Sequence, residues 1–174
     1  MADPRVAGYA EALFAVAAAE GDLSVVEDEL FRFAQALRSD DDLGSTLADR
    51  ALPMARRLQV VEDLLGARAS AVTTALVSMV VGAGRAAELP AIVDAMVERS
   101  AASRNKTVAT VRSAVDLTAD QRERLAAAIN TRTGREVEVR VVIDPSVLGG
   151  VVTEIGDDII DGSVRRRLNQ LRES

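Results

Sequence analysis

The chain of 174 residues has no His, no Cys and no Trp, and its aromatic side chains are limited to Tyr9, Phe14, Phe31 and Phe33. Each absence removes a class of chemistry. Without Cys there is no disulfide, thiolate nucleophile, zinc finger or iron–sulfur cluster. Without His, the usual imidazole base and the commonest transition-metal ligand are both missing. A net charge of -6 with so few aromatics opposes nucleic-acid binding, which needs basic tracks and stacking platforms. No run approaches the ~20 apolar residues of a membrane span. The opening Met1-Ala2-Asp3-Pro4-Arg5 lacks a leader pattern. The expectation is a soluble, cytoplasmic protein without cofactor or metal. Hydrophobic residues make up 48%, enough to exclude disorder.

Charge and composition divide the chain near Asn105. Residues 1–105 hold 10 arginines against 16 carboxylates, whereas residues 106–174 hold 11 basic and 11 acidic groups. All the excess acidity therefore lies in the first part, which is also rich in Ala and Leu, good helix formers. The second part has β-branched runs such as Val137 to Ile143 and Gly-containing turns. The pattern predicts a mainly α protein: a six-helix N-terminal bundle over 1–105, then a small mixed α/β domain over 106–174.

Periodicity and end signals locate the helices. Asp3 and Pro4 read as cap and first position of a helix with Val6, Tyr9, Ala10, Leu13, Phe14 and Ala17 on one stripe, stopped by Gly21. Ser24-Val25-Val26-Glu27 reads as a capping box ahead of Leu30, Phe33 and Leu37. Asp40-Asp41-Asp42 opens a short third helix, Pro53 a fourth, Ser70 a fifth, and Leu89, Ile92, Val93, Met96 and Val97 mark a sixth. Beyond Asn105 the order is strand, helix, strand, strand, helix. Thr107 to Ala114 is the first strand, and Thr118 with Gln121 forms a capping box. Val137, Val139, Val141 and Ile143 alternate with Glu136, Glu138 and Arg140, the period of a half-buried strand. The last helix turns Val164, Leu168 and Leu171 inward and Arg165, Arg166 and Arg167 mostly outward.

Few residues suggest chemistry. Asp40-Asp41-Asp42 lacks the Gly and Glu positions of a calcium loop and suits a helix start. Asp157, Asp158 and Asp161 are candidates for acid–base work, but adjacent residues of an extended segment point to opposite faces, and turns around Gly156 and Gly162 explain them better. Gly149-Gly150 and Gly82-Ala83-Gly84 match no phosphate-binding loop. The informative stretch is Ser70 to Gly84, four turns without a charge. A surface helix carries charge on its outer face, so this one is either the buried centre of the bundle or is covered by another chain. The first helix has a similar surplus of apolar residues. The reading favoured here is a hydrophobic groove for a partner helix.

Several segments resemble a known family. Gly8-Tyr9-Ala10-Glu11-Ala12-Leu13-Phe14 is similar to the first-helix motif of the delta subunit of F-type ATP synthases, whose mitochondrial counterpart is the oligomycin-sensitivity-conferring protein. Gly84-Arg85 with Leu89 and Ile92, then Val111, Ala114, Leu117, Thr118 and Gln121, follow in order. So do Ile143-Asp144-Pro145-Ser146-Val147-Leu148-Gly149-Gly150, Gly156-Asp157, Ile160-Asp161-Gly162-Ser163-Val164, Leu168 and Leu171. Gly8 stands where the family more often has a basic residue, and Thr153 where an aliphatic is usual. The resemblance implies a non-catalytic stator subunit at the cytoplasmic face of the plasma membrane. It implies that the N-terminal bundle binds the N-terminal helix of the alpha subunit between its first and fifth helices. It also implies that the C-terminal domain binds the C-terminal end of the b subunit. The residues assigned to line or support the groove are Tyr9, Leu13, Val72, Leu76, Met79 and Val80. The alternatives are a generic helical adaptor for an amphipathic partner helix and a small acid–base enzyme.

Overall fold

The Asp3 carboxylate accepts a hydrogen bond from the Arg5 N–H at 2.9 Å and starts α1 (Pro4–Glu20), with Pro4 supplying a helical φ where no amide donor is needed. The computed structural model in which this is seen describes residues 3–156 and 158–162. Then come α2 (Leu23–Ser39), α3 (Asp41–Ala48), α4 (Met54–Leu65), α5 (Ala71–Gly82), a 3₁₀ turn at Ala86–Glu88, and α6 (Leu89–Ser103). The second part runs β1 (Thr107–Ser113), α7 (Ala119–Thr133), β2 (Val137–Ile143), β3 (Val151–Ile155) and β4 (Asp158–Asp161). The fold is mainly helical with one small mixed sheet, and seven α-helices lie among the described residues. The predicted last helix, with Val164, Leu168, Leu171 and Arg165 to Arg167, lies outside them, as does Asp157.

The chain divides into two compact units, Met1–Ser100 and Ala101–Ser174. In the first, the apolar stripes become core: Val6, Ala10, Leu13 and Ala17 of α1, Val26, Leu30, Phe33 and Leu37 of α2, and Leu89, Ile92, Val93, Met96 and Val97 of α6 are all buried. Asp40 caps α3, with Asp41 and Asp42 in its first turn, a favourable place for carboxylates on the helix dipole. Among the described residues no group of His, Cys, Asp and Glu is placed to hold a metal ion.

One predicted cap is corrected. The N-cap of α2 is Asp22, whose carboxylate accepts from the Ser24 and Val25 N–H groups, and not Ser24. Glu27, expected to complete the box, is fully buried and accepts a hydrogen bond from the Ser100 hydroxyl of α6. An aspartate two residues upstream is as good a cap as serine. It shifts the helix start, and Glu27 then falls on the inward stripe beside Leu30.

In the second unit the strand order is β2-β1-β3-β4. β1 pairs parallel to β2 and antiparallel to β3, and β4 pairs antiparallel to β3. Ala109 sits opposite both Val139 and Ile155, so these side chains share a face. α7 covers it: Ile129 packs with Ala109, Val137 and Ile155, and Leu125 and Ala126 lie against that cluster. The Thr118–Gln121 capping box forms as predicted, and α7 stops at Gly134 in the left-handed region with φ 68°. The alternation expected in β2 holds at Val137 and fails further along: Arg140 is buried, with a 2.5 Å ion pair to Glu138, while Ile143 at the strand end is exposed.

Candidate functional site

α5 packs against α1, α2 and α4. Its ends are fixed by polar contacts that begin elsewhere. Ser70 is the N-cap, its Oγ accepting from the Thr73 N–H at 3.2 Å. Glu29 of α2 closes over the same turn. Its carboxylate accepts from the Ser70 N–H at 3.0 Å, the Ser70 hydroxyl at 2.8 Å and the Thr73 hydroxyl at 2.5 Å. Burial alone pushes the Glu29 carboxyl up, but the Thr73 and Ser70 hydrogen bonds and the nearby Arg32 charge outweigh it and hold the group below the ordinary glutamate range. At the other end, Arg57 of α4 is buried and its Nη1 donates to the Val81 carbonyl at 3.4 Å and the Leu47 carbonyl at 3.5 Å.

α1 and α5 run antiparallel along one another. At the end of α1, a Cβ built on Gly21 would lie 3.6 Å from Cγ1 of Val72 and 3.1 Å from Cγ2 of Val26, so glycine lets three helices converge. At the opposite end Arg85, ion-paired to Glu88 at 2.7 Å, lies within electrostatic reach of Tyr9 and Asp3. Phe14 turns away from this seam and lies under the Arg99 guanidinium of α6, 5.2 Å from its ring centre.

The six residues assigned to the groove separate into two layers. Leu13, Leu76 and Val80 are core residues, exposed by 1%, 3% and 0%. Tyr9 and Val72 are half-buried, and Met79 is 44% exposed. The solvent-facing strip of α5 is therefore Ala71, Val72, Ala75, Ser78 and Met79, with Met54 of α4 exposed beside Gly82. Met54 went unnoticed in the sequence because it belongs to a different helix, and only the packing of α4 on α5 brings it to the strip. None of these groups can transfer a proton at neutral pH. What the strip offers is apolar area with small side chains that allow a helix backbone to approach closely.

The Asp157, Asp158 and Asp161 cluster gains no support as a site from the described residues. Asp158 is an exposed residue of β4, two residues after Gly156 with its φ of 57°, as expected of a turn.

Comparison with known proteins decides the family. The model of the family described as ATP synthase delta (OSCP) subunit matches residues 6–174. The chain belongs to this family. ATP synthase subunit delta of Nocardia farcinica is 44% identical over 172 residues, covering 99% of this chain and 64% of that protein. The subunit of the same name from Salinispora tropica is 40% identical over 163 residues, covering 94% of this chain and 60% of its own. The chain thus spans about three-fifths of the length of these curated relatives. Among solved structures, a chain of the Toxoplasma gondii mitochondrial ATP synthase hexamer, determined by cryo-EM, aligns with a TM-score of 0.58 at 24% identity, over 98% of this chain and 97% of that one. At this identity the likeness speaks for the fold alone. No helix among the described residues is long and apolar enough to cross a membrane.

Proposed function

We propose that this chain is a non-catalytic peripheral-stalk subunit of an F-type ATP synthase, holding the catalytic head still while the rotor turns. Residues 1–105, arranged as a six-helix bundle, bind the N-terminal helix of the alpha subunit along the α1–α5 seam. Residues 106–174 bind the C-terminal end of the b subunit. The complex works at the membrane, with this subunit peripheral on the cytoplasmic face. The observation that carries the reading is the uncharged solvent-facing strip of α5 beside α1, in a chain whose family is the delta (OSCP) subunit. Tyr9, Val72 and Met79 supply the contact surface, and Leu13, Leu76 and Val80 support it from beneath. A stator joint must resist torque without responding to proton flux, and burial of apolar surface meets that need without any titrating group.

The test is calorimetric titration of the full chain with the amino-terminal peptide of the cognate alpha subunit. Binding with a negative heat-capacity change is expected. Absence of binding to the folded chain refutes the alpha-subunit contact. Co-purification that yields a partner unrelated to the synthase head or stalk favours a generic helical adaptor instead.

A further inference from the structure

α5 contains no ionisable residue, with no acid in its first turn and no base in its last. A helix so composed leaves its dipole uncompensated, since carboxylates normally gather at the N-terminus and cations at the C-terminus. Here both charges arrive from outside the helix. The carboxylate at the N-terminus is Glu29 of α2, on Ser70 and Thr73. The cations at the C-terminus are Arg57 of α4, on the Val81 carbonyl, and Arg50 of the α3–α4 loop, whose Nη2 donates to the Gly84 carbonyl at 3.5 Å. Among the described residues Arg57 donates to two main-chain carbonyls. At 3.6 residues per turn, Thr73 and Val81 lie roughly 120° and 160° round the helix from Met79. Both are buried, so the Glu29 and Arg57 charges meet α5 on its inner side.

We propose that Glu29, Arg57 and Arg50 are positioning residues that compensate the α5 dipole from neighbouring elements, so that the row Ala71, Ala75 and Met79 meets a partner helix free of charge. The device specifies the partner's chemistry: the side of its helix laid on α5 carries no charged residue. The proposal rests on the stator reading, because it concerns the same surface.

The experiment separates charge compensation from docking. The full chain is titrated with the amino-terminal peptide of the cognate alpha subunit, and unfolding in urea is followed by the fluorescence of Tyr9, the sole tyrosine. Glu29→Gln is expected to lower the unfolding midpoint. Adding Ala71→Glu returns a carboxylate to the first turn of α5 and is expected to recover part of the midpoint shift, the share owed to the dipole and not to the hydrogen bonds of Glu29. It also places that charge on the exposed row, so affinity is expected to fall at least about tenfold below that of Glu29→Gln alone. A double variant with wild-type affinity overturns the proposal while the stator reading stands. An unchanged midpoint in Glu29→Gln overturns the compensation by Glu29. A wild-type chain that does not bind the peptide overturns the stator reading, and the docking half of the proposal with it.

Discussion

Leu76 and Met79 stand one turn apart on α5 and face different environments, so their substitution should separate stability from recognition. Leu76 is 3% exposed. Truncating a buried leucine to alanine removes its transfer free energy and leaves a cavity, which costs about 2–5 kcal/mol. A central value of about 3 kcal/mol, with a urea slope of about 1.5 kcal/mol/M, moves the midpoint down by about 2 M. Met79 has 44% of its surface in water. Met79→Asp loses little packing and costs about 0.5 kcal/mol in helix propensity plus about 0.3–1 kcal/mol for a carboxylate at the C-terminal end of the α5 dipole, so the midpoint should move by under about 1 M. Binding should respond in the opposite order. A partner helix that covers residue 79 would bury an unpaired carboxylate and lose the methionine contact, together about 3 kcal/mol or more, a hundredfold in affinity. The chain has no Trp, so tyrosine emission is unobscured, and Tyr9 reports the unit that contains α5. Titration calorimetry with the alpha-subunit peptide supplies the affinity. Met79→Asp binding within about threefold of wild type refutes the assignment of the strip as the covered face. A Leu76→Ala midpoint that stays put refutes the burial argument.

Gly8 lies inside α1 with nothing within 4 Å of a built Cβ, so Gly8→Ala should stabilise the first unit by about 0.5–1 kcal/mol, read from the urea midpoint. Gly134 has φ 68° and ends α7, so Gly134→Ala should destabilise the second unit by about 1 kcal/mol, visible in circular dichroism melts. Glu29→Gln should cost about 1–2 kcal/mol at pH 7, a figure taken from its hydrogen bonds and discounted for partial exposure. The folded-state pKa of Glu29 lies below the ordinary 4.5, so its contribution is complete above that value and is lost as pH falls through the folded value. Wild-type and variant stabilities should therefore converge in acid, and a gap that persists at low pH contradicts the assignment.

The helices and strands were largely legible from period and punctuation because those signals are local. Pro4, Ser70, the Thr118–Gln121 pair and Gly134 act within one turn of where they stand. What the sequence could not reveal is side-chain partnership across the fold. Glu27 meets Ser100 and Glu29 meets Ser70, 73 and 41 residues apart, and no spacing rule links such positions. The capping box at Ser24 was misread because Asp22 offered an equally good cap two residues earlier. Arg140 was read as outward because period 2 assigns faces without knowing which neighbour closes over them. The candidate site was half legible. The missing charge on α5 singled out the helix that carries the uncharged strip, but whether Leu76 or Met79 meets the outside depends on the angle at which α1 and α2 pack against it.

The order of strands in the sheet also dictates an order in time. β1 lies between β2 and β3, and its partners begin at Val137 and Val151, well beyond Thr107. Ribosomes add about 5–20 residues per second. The central strand therefore waits for seconds with both edges unpaired, because neither neighbour has yet been made. The helical unit ahead of it pairs its backbone within each helix and is complete by Ser100. Contacts local in sequence form faster than contacts between distant strands. During synthesis the first unit is thus folded while the second is still a set of open strands, and it is over residues 107–161 that a chaperone would be needed.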